Sequence, residues 1–332
     1  MFCAVLLGGQ NPPPQKPAGQ APSPAAGGKP AGQELEPGEA GTFRIKKEVQ
    51  EVVLHATVVD EKQRLVTNLE RGAFTVYEDG QPQQITSFRR EDIPVAMGIV
   101  IDNSGSMSRS RSAVNQAALN LVRASNPQDQ VFLVNFNDES YLDQDFTSEI
   151  TKLQEALEKI ESRGGTALYD ALIASADHLK SARLDKKVLL VVTDGEDNRS
   201  KDPLEQAVQH VSENGGPTIY AIGIQLSGDR VRRAKRALQV LSEQTGGIAF
   251  FPKTLDEVDA VSQAVAHDIR NQYTIGYKPS NQQPGGGYRS VRVAAQSRGY
   301  KNLQVRTRSG YYATAQRAEK EAGPEAAPAS HR

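Results

Sequence analysis

Cysteine is almost absent: the 332 residues contain one, Cys3, which excludes an intramolecular disulfide framework and any cysteine-rich zinc site. Tryptophan is missing altogether. No apolar run approaches the ~20 residues that a membrane-spanning helix needs. Neither sign of charge is in excess, since 39 Lys and Arg face 40 Asp and Glu for a net charge of -1. That balance excludes a nucleic-acid binder working through a bulk basic field. Proline is scarce outside one segment, because eight of the 18 fall between Pro12 and Pro37. A globular protein with an unstructured arm is the expectation.

The arm is residues 10–40, rich in Pro, Gly and Ala, with Leu35 as its one large apolar residue. Such a stretch cannot bury enough surface to offset its ordering entropy, so it is expected to be a disordered linker. Residues 1–7 (MFCAVLL) are apolar but lack the leading positive charge of a complete export signal. Residues 1–9 are therefore read as the remnant of a signal peptide that starts upstream. A secreted, periplasmic or cell-surface location follows from that reading, with the cytoplasm as the alternative. Residues 313–332 are polar and read as a disordered tail.

Between these ends the periodicity switches regularly. Residues 95–101 (VAMGIVI), 131–134 and 187–193 are continuous apolar runs, the pattern of strands covered on both faces. Between and after them apolar residues recur at helical spacing: Val114, Ala117, Ala118, Leu121; Leu153, Ala156, Leu157, Ile160; Leu168, Ala171, Leu172, Leu179. Asp202-Pro203 predicts a helix start with proline at its first position. Strand 218–224, helix 230–244 and strand 247–251 follow, and Thr254 with Glu257 predicts a capping box for a last helix over 255–271. Alternating strands and helices over 93–271 argue for an α/β domain with a doubly wound, mostly parallel sheet. The flanks, 41–92 and 272–312, are rich in β signals separated by turns. Neither has enough strands for its own core, so the two are expected to pair into one small β-sandwich with the α/β domain inserted between them.

Three segments fall at strand or helix ends, where ligands collect in open α/β sheets. Asp102-Asn-Ser104-Gly-Ser106 follows the first buried strand, Gly164-Gly165-Thr166 precedes a helix, and Thr193-Asp194-Gly195-Glu-Asp197 follows the most apolar strand. Alternate positions of D-x-S-x-S can converge on one point, and Gly105 is expected to permit a tight turn there. Taken singly, the serines could cap a helix and Asp194-Gly195 could be a turn. Together, Asp102, Ser104, Ser106, Thr166 and Asp194 supply hard oxygen donors suited to Mg²⁺ or Mn²⁺, with Ca²⁺ ranked behind them. Two carboxylates and three neutral hydroxyls leave a dication short of anionic donors. A protein partner offering an Asp or Glu carboxylate would complete it.

These motifs resemble the metal-ion-dependent adhesion site (MIDAS) of the von Willebrand factor type A domain. The resemblance covers about residues 93–270 and implies a six-stranded Rossmann-like sheet ringed by helices. It also implies that Ser104, Ser106 and Thr166 coordinate the metal through their hydroxyls, with Asp102 and Asp194 bound directly or through water. The flanking residues 74–80, 273–277 and 308–312 look similar to bacterial proteins related to this family. In some family members the last helix, here 255–271, slides to switch affinity.

Other readings are weaker. A Mg²⁺-dependent phosphatase of the haloacid dehalogenase type needs a second Asp two positions after the first, where this chain has Ser104. The dinucleotide fingerprint and the P-loop are missing, and none of the five histidines pairs with a nucleophile motif. The chain is expected not to be an enzyme, and a scaffold with a non-functional metal site is the remaining alternative. The basic run 230–236 is expected to be a solvated helix face, with a surface for nucleic acid or an acidic partner as the alternative. Glu139, Asp143 and Asp145 are read as an acidic loop, either solvated or lining the rim of the metal site.

Overall fold

The computed structural model describes residues 51–160, 162–213, 215–224, 231–281 and 287–313. The expectations for residues 1–9, 10–40 and the tail beyond Ala313 lie outside the described residues. Strand periodicity opens the described chain. In β1 (Val52–Val59), Leu54, Ala56 and Val58 are buried, and in β2 (Phe74–Glu78), Phe74 and Val76 point inward while Thr75 is exposed. Short strands β3 (Gln81–Gln83) and β4 (Ile85–Arg89) complete the first flank.

The pattern then changes. Strand β5 (Val95–Asp102) is buried at all eight positions, which is possible only with helices on both faces. Its neighbours approach so closely that a Cβ on Gly98 would lie 2.3 Å from Phe132 Cζ. Helix α1 (Arg111–Ala124), strands β6 (Gln130–Phe136) and β7 (Ser140–Thr147), and helices α2 (Ile150–Glu158) and α3 (Leu168–Leu179) follow. Next come β8 (Lys186–Thr193), α4 (Leu204–Val211), β9 (Thr218–Gly223), α5 (Val231–Thr245), β10 (Ala249–Phe250) and α6 (Asp256–Arg270). The six strands form one sheet in the order β10-β9-β8-β5-β6-β7. Every pairing is parallel except β6 with β7. One apolar layer joins Met97, Ile99 and Leu190 of the sheet to Leu121, Leu153 and Val265 of α1, α2 and α6. The opposite layer joins Val100, Leu189 and Val191 to Leu172, Val211 and Leu241 of α3, α4 and α5.

The chain leaves α6 through β11 (Tyr273–Tyr277), β12 (Tyr288–Ala295), β13 (Gln304–Arg306) and β14 (Gly310–Tyr312). These strands interleave with the first flank in two antiparallel four-stranded sheets, β13-β1-β11-β4 and β14-β12-β2-β3. Leu54, Phe74, Tyr273, Ile275, Val291 and Val293 form their shared core. The expected sandwich of two flanks around an inserted α/β domain is thus observed. Glu78, 2% exposed, holds the two sheets together. Its carboxylate accepts Tyr277 OH at 2.6 Å and Tyr311 OH at 2.9 Å, and Arg289 Nη1 lies 3.0 Å away. A second buried carboxylate, Asp268 of α6, accepts Tyr220 OH from β9 at 2.6 Å and Arg306 Nη2 from β13 at 2.7 Å, binding the last helix to both the central sheet and the sandwich.

The structure corrects four local expectations. Residues 140–147 are the edge strand β7, not an acidic loop, because tertiary pairing with β6 overrides a polar pattern that no periodicity test detects. Pro203 stands one residue before α4 in extended conformation (φ −74°, ψ 165°). Helix α6 begins at Asp256 with no side-chain cap; Glu257 Oε2 instead accepts the Lys253 N–H at 2.8 Å. Gly105 opens a short 3-10 turn at Gly105–Arg109 and does not have a positive φ, so that turn does not demand glycine.

Candidate metal site at the edge of the central sheet

Asp102 is the last residue of β5 and is fully buried. Its Oδ1 accepts the Ser104 N–H at 2.8 Å, a local turn of the kind aspartate favours. Its Oδ2 accepts the Thr193 hydroxyl at 2.5 Å from the end of β8. Burial pushes the carboxyl up to about 6; the Thr193 and Ser104 bonds oppose that rise and the Asp194 charge adds to it.

The chain beyond Asp102 carries the serines outward. Ser104 is buried in extended conformation and Ser106 is exposed, with their hydroxyl oxygens 3.1 Å apart. Ser106 Oγ donates to Asp194 Oδ1 at 2.8 Å. Burial also raises the Asp194 carboxyl, against the pull of that bond. Thr193 Oγ1, which donates to Asp102, accepts the Gly195 N–H at 3.2 Å. Asp102, Ser104, Ser106 and Asp194 are thereby linked into one hydrogen-bonded edge drawn from β5 and β8.

Thr166 comes from the connection between α2 and α3 and is 3% exposed. A Cβ on Gly195 would lie 3.5 Å from its Oγ1, so the hydroxyl rests against the turn that follows Asp194. Two bonds with Asn198 hold Thr166 there: its N–H donates to Asn198 Oδ1 at 3.1 Å, and its carbonyl accepts the Asn198 N–H at 2.9 Å. The Gly105 N–H reaches the Gly164 carbonyl at 3.2 Å, joining the first loop to the second. Gly164 is the glycine this site requires. Its φ is +77°, and a Cβ there would sit 2.4 Å from Asp138 Oδ2. The five residues singled out in the sequence, supplied by three separate segments, therefore gather at one edge of the sheet.

Several supporting residues were given no role by the sequence. Asp197 caps α3 from a different loop, its Oδ2 accepting the Tyr169 N–H at 3.0 Å and the Ser200 hydroxyl at 2.5 Å. Asp138 accepts the Gly165 N–H at 3.0 Å and pairs with Arg199 at 3.0 Å. Asn103, the variable residue after Asp102, donates its N–H to Phe136 O at 2.7 Å and accepts from Arg111 Nη1. The Asx residues at these strand ends, Asn103, Asp138, Asp197 and Asn198, were the available signal, since such side chains organise turns. Of the acidic residues read as a loop, Asp143 is received by Asn135 at 2.6 and 2.7 Å and Asp145 by His178 at 2.8 Å. Asp138 is the carboxylate of that hairpin that touches the Thr166 loop.

Among the described residues, no group of three or more His, Cys, Asp or Glu side chains is placed to hold a metal. Any cation at this edge must therefore be held largely by hydroxyls. The donor chemistry fits a small hard dication: all five side chains offer oxygen, and burial makes both carboxylates reluctant to ionise without a nearby positive charge.

No curated protein matches the chain by sequence. Similar solved structures include the vWF domain of the type V pili tip protein Mfa5 from Porphyromonas gingivalis (13% identity, 54% of this chain and 97% of that chain, TM-score 0.44). A von Willebrand factor type A structure from Catenulispora acidiphila is similar over 82% of this chain and 76% of that chain (14% identity, TM-score 0.46). The conserved hypothetical protein BatB from Bacteroides thetaiotaomicron is similar over 52% of this chain and 98% of that chain (19% identity, TM-score 0.43). The model of the von Willebrand factor type A domain family matches residues 97–196, a span that encloses all five residues of the cluster. Over those residues the chain resembles von Willebrand factor type A domains.

Proposed function

We propose that this protein is a metal-dependent binding module whose cation, Mg²⁺ or Mn²⁺, is held by Asp102, Ser104, Ser106, Thr166 and Asp194 and captures an Asp or Glu of a protein partner. Von Willebrand factor type A domains are commonly adhesion or protein-interaction modules, and the reading refines that general role. The observation that carries it is the convergence of three separate loops on one hydrogen-bonded edge of two carboxylates and neighbouring hydroxyls. When bound, the dication would supply a point charge to which an external carboxylate docks.

The chain's own residues prepare that event. Thr193 and the Ser104 N–H fix the orientation of the Asp102 carboxylate. Ser106, exposed and bonded to Asp194, lies on the outer side of the cluster, where a partner approaches. Asn198 and Gly164 hold the Thr166 loop against the Asp194 turn. The role proposed is binding, not catalysis, because Ser104 occupies the position where a phosphatase of this general sheet type would need its second carboxylate. An extracytoplasmic setting is part of the proposal and rests on the apolar residues 1–7. Among the described residues no helix is long and apolar enough to cross a membrane.

Calorimetric titration of Mg²⁺ into the full chain tests the site. Saturable binding is expected, with a loss of at least about tenfold in Thr166→Val, which removes one hydroxyl ligand and leaves the volume nearly unchanged. Equal affinity in that variant, or no binding in the parent, refutes the assignment. Partner capture from native extract is expected to be reversed by EDTA and absent with Asp102→Ala.

A further inference from the structure

The first six residues of α5, VRRAKR, hold four cations, and no carboxylate lies in the first turn. That arrangement opposes helix stability twice over. Cations crowd the positive end of the helix dipole, and Arg232 with Lys235, Arg232 with Arg236, and Arg233 with Arg236 are like charges at i,i+3 or i,i+4. Packing does not require them, since Ala234, Ala237, Leu238 and Leu241 supply the buried face. Two of the four have partners: Arg233 Nε lies 2.9 Å from Glu196 Oε1, and the Lys235 ammonium sits 5.3 Å from the centre of the Phe251 ring. Arg232 and Arg236 are exposed, and neither forms an ion pair among the described residues. Glu196 lies two residues beyond Asp194, so the Arg233 contact ties this basic face to the rim of the candidate metal site.

We propose that the exposed basic face of α5 extends that site into a docking surface for an acidic polypeptide segment, with one carboxylate at the metal and further Asp or Glu side chains on Arg232 and Arg236. The inference rests on the function proposed above and adds the chemistry of the partner. The spacing suits an extended chain. Arg232 and Arg236 are one helical turn apart, about 6 Å along the axis, and alternate side chains of an extended segment are about 6–7 Å apart. A nucleic acid is the poorer fit, because a continuous phosphate backbone needs a longer row of cations, and two of the four on this face are already engaged, Arg233 by Glu196 and Lys235 by the Phe251 ring.

Fluorescence anisotropy with the full chain in saturating Mg²⁺ tests the proposal. Two labelled decapeptides serve as probes, ten glutamates and one glutamate among nine serines, with a ten-nucleotide single-stranded DNA as competitor. The decaglutamate is expected to bind at least about threefold to tenfold tighter. That advantage should vanish in Arg232→Ser/Arg236→Ser and shrink when salt is raised from 0.05 to about 0.5 M. Arg232 and Arg236 touch no site residue, so Mg²⁺ calorimetry on the same variant is expected to match the parent. Equal binding of the two peptides, with Mg²⁺ binding intact, overturns the docking surface and leaves the metal site standing. A decaglutamate advantage that survives the double substitution, or displacement of the peptide by DNA at lower concentration than by unlabelled decaglutamate, also overturns it. Absence of Mg²⁺ binding in the parent refutes the metal site, and the docking surface with it.

Discussion

Replacing Asp102 by Asn separates the stability cost of the proposed metal site from its proposed binding role. The carboxyl is fully buried and held at about 6 against an ordinary value of 3.8. A rise of that size corresponds to about 3 kcal/mol disfavouring the ionised form in the folded chain. The folded state binds this proton more tightly than the unfolded state does, so stability falls as pH rises through the window. The penalty is absent below about pH 4, builds between 4 and 6, and is complete above about 6. Asparagine keeps an oxygen to accept the Ser104 N–H and an amide to face Thr193 while removing the charge. In EDTA at pH 7.5, Asp102→Asn is therefore expected to be more stable than the parent by up to about 3 kcal/mol, roughly 6–12 °C in Tm. At pH 4 the difference should be close to zero. Added Mg²⁺ should reverse the order: at a hundredfold excess over Kd the parent gains about 2.7 kcal/mol and the variant little. Scanning calorimetry at the two pH values, with EDTA and with Mg²⁺, reads all four conditions. A variant less stable than the parent in EDTA at pH 7.5, or an equal Mg²⁺ gain in both proteins, refutes the reasoning.

Two further outcomes concern the scaffold. Glu78→Ala removes the acceptor shared by Tyr277, Tyr311 and Arg289 inside the sandwich and is expected to cost about 3–5 kcal/mol in urea denaturation; Glu78→Leu with Arg289→Met should recover much of that loss, and strictly additive single effects would contradict a coupled network. Lys186 is 2% exposed, reaches the Ile269 carbonyl and is held down to about 8 by burial, against the attraction of Asp92, Asp268 and Asp129. Because the unfolded chain binds this proton more tightly, stability is expected to rise by about 2 kcal/mol between pH 8 and 10; thermal melts of Lys186→Met should lack that slope.

The carboxylates of the candidate cation site and of the sandwich have opposite electrostatic settings. Glu78 meets a guanidinium and two phenols and is satisfied within the fold. Asp102 and Asp194 share their edge with hydroxyls, and no cationic side chain forms an ion pair with either among the described residues. Satisfied buried charge is what a structural role requires, and carboxylates without a direct ion-pair partner are what a cation site requires. The contrast lies within one chain and supports assigning the metal to the sheet edge.

The sequence by itself determined the central sheet, because continuous apolar runs such as 95–101 and 187–193 can be buried only between two helical layers. It also pointed to the five candidate ligands, since each stands within four residues of a strand or helix end. It did not determine β7, whose polar residues 140–147 pair with β6 through backbone bonds that no side-chain period announces. Nor did it determine what holds Thr166 in place: Asn198 and Asp197 act across about 30 residues of sequence, and only folding brings α3 against the loop after β8. The interleaving of the flanks was foreseeable from their shortness, but the register of β1 with β11, and the Glu78 cluster that pins two sheets together, were decided by long-range packing. Local periodicity marks which apolar segments become strands and helices. Which side chains meet depends on contacts between residues as far apart as Glu78 and Tyr311, and those exist only in the folded chain.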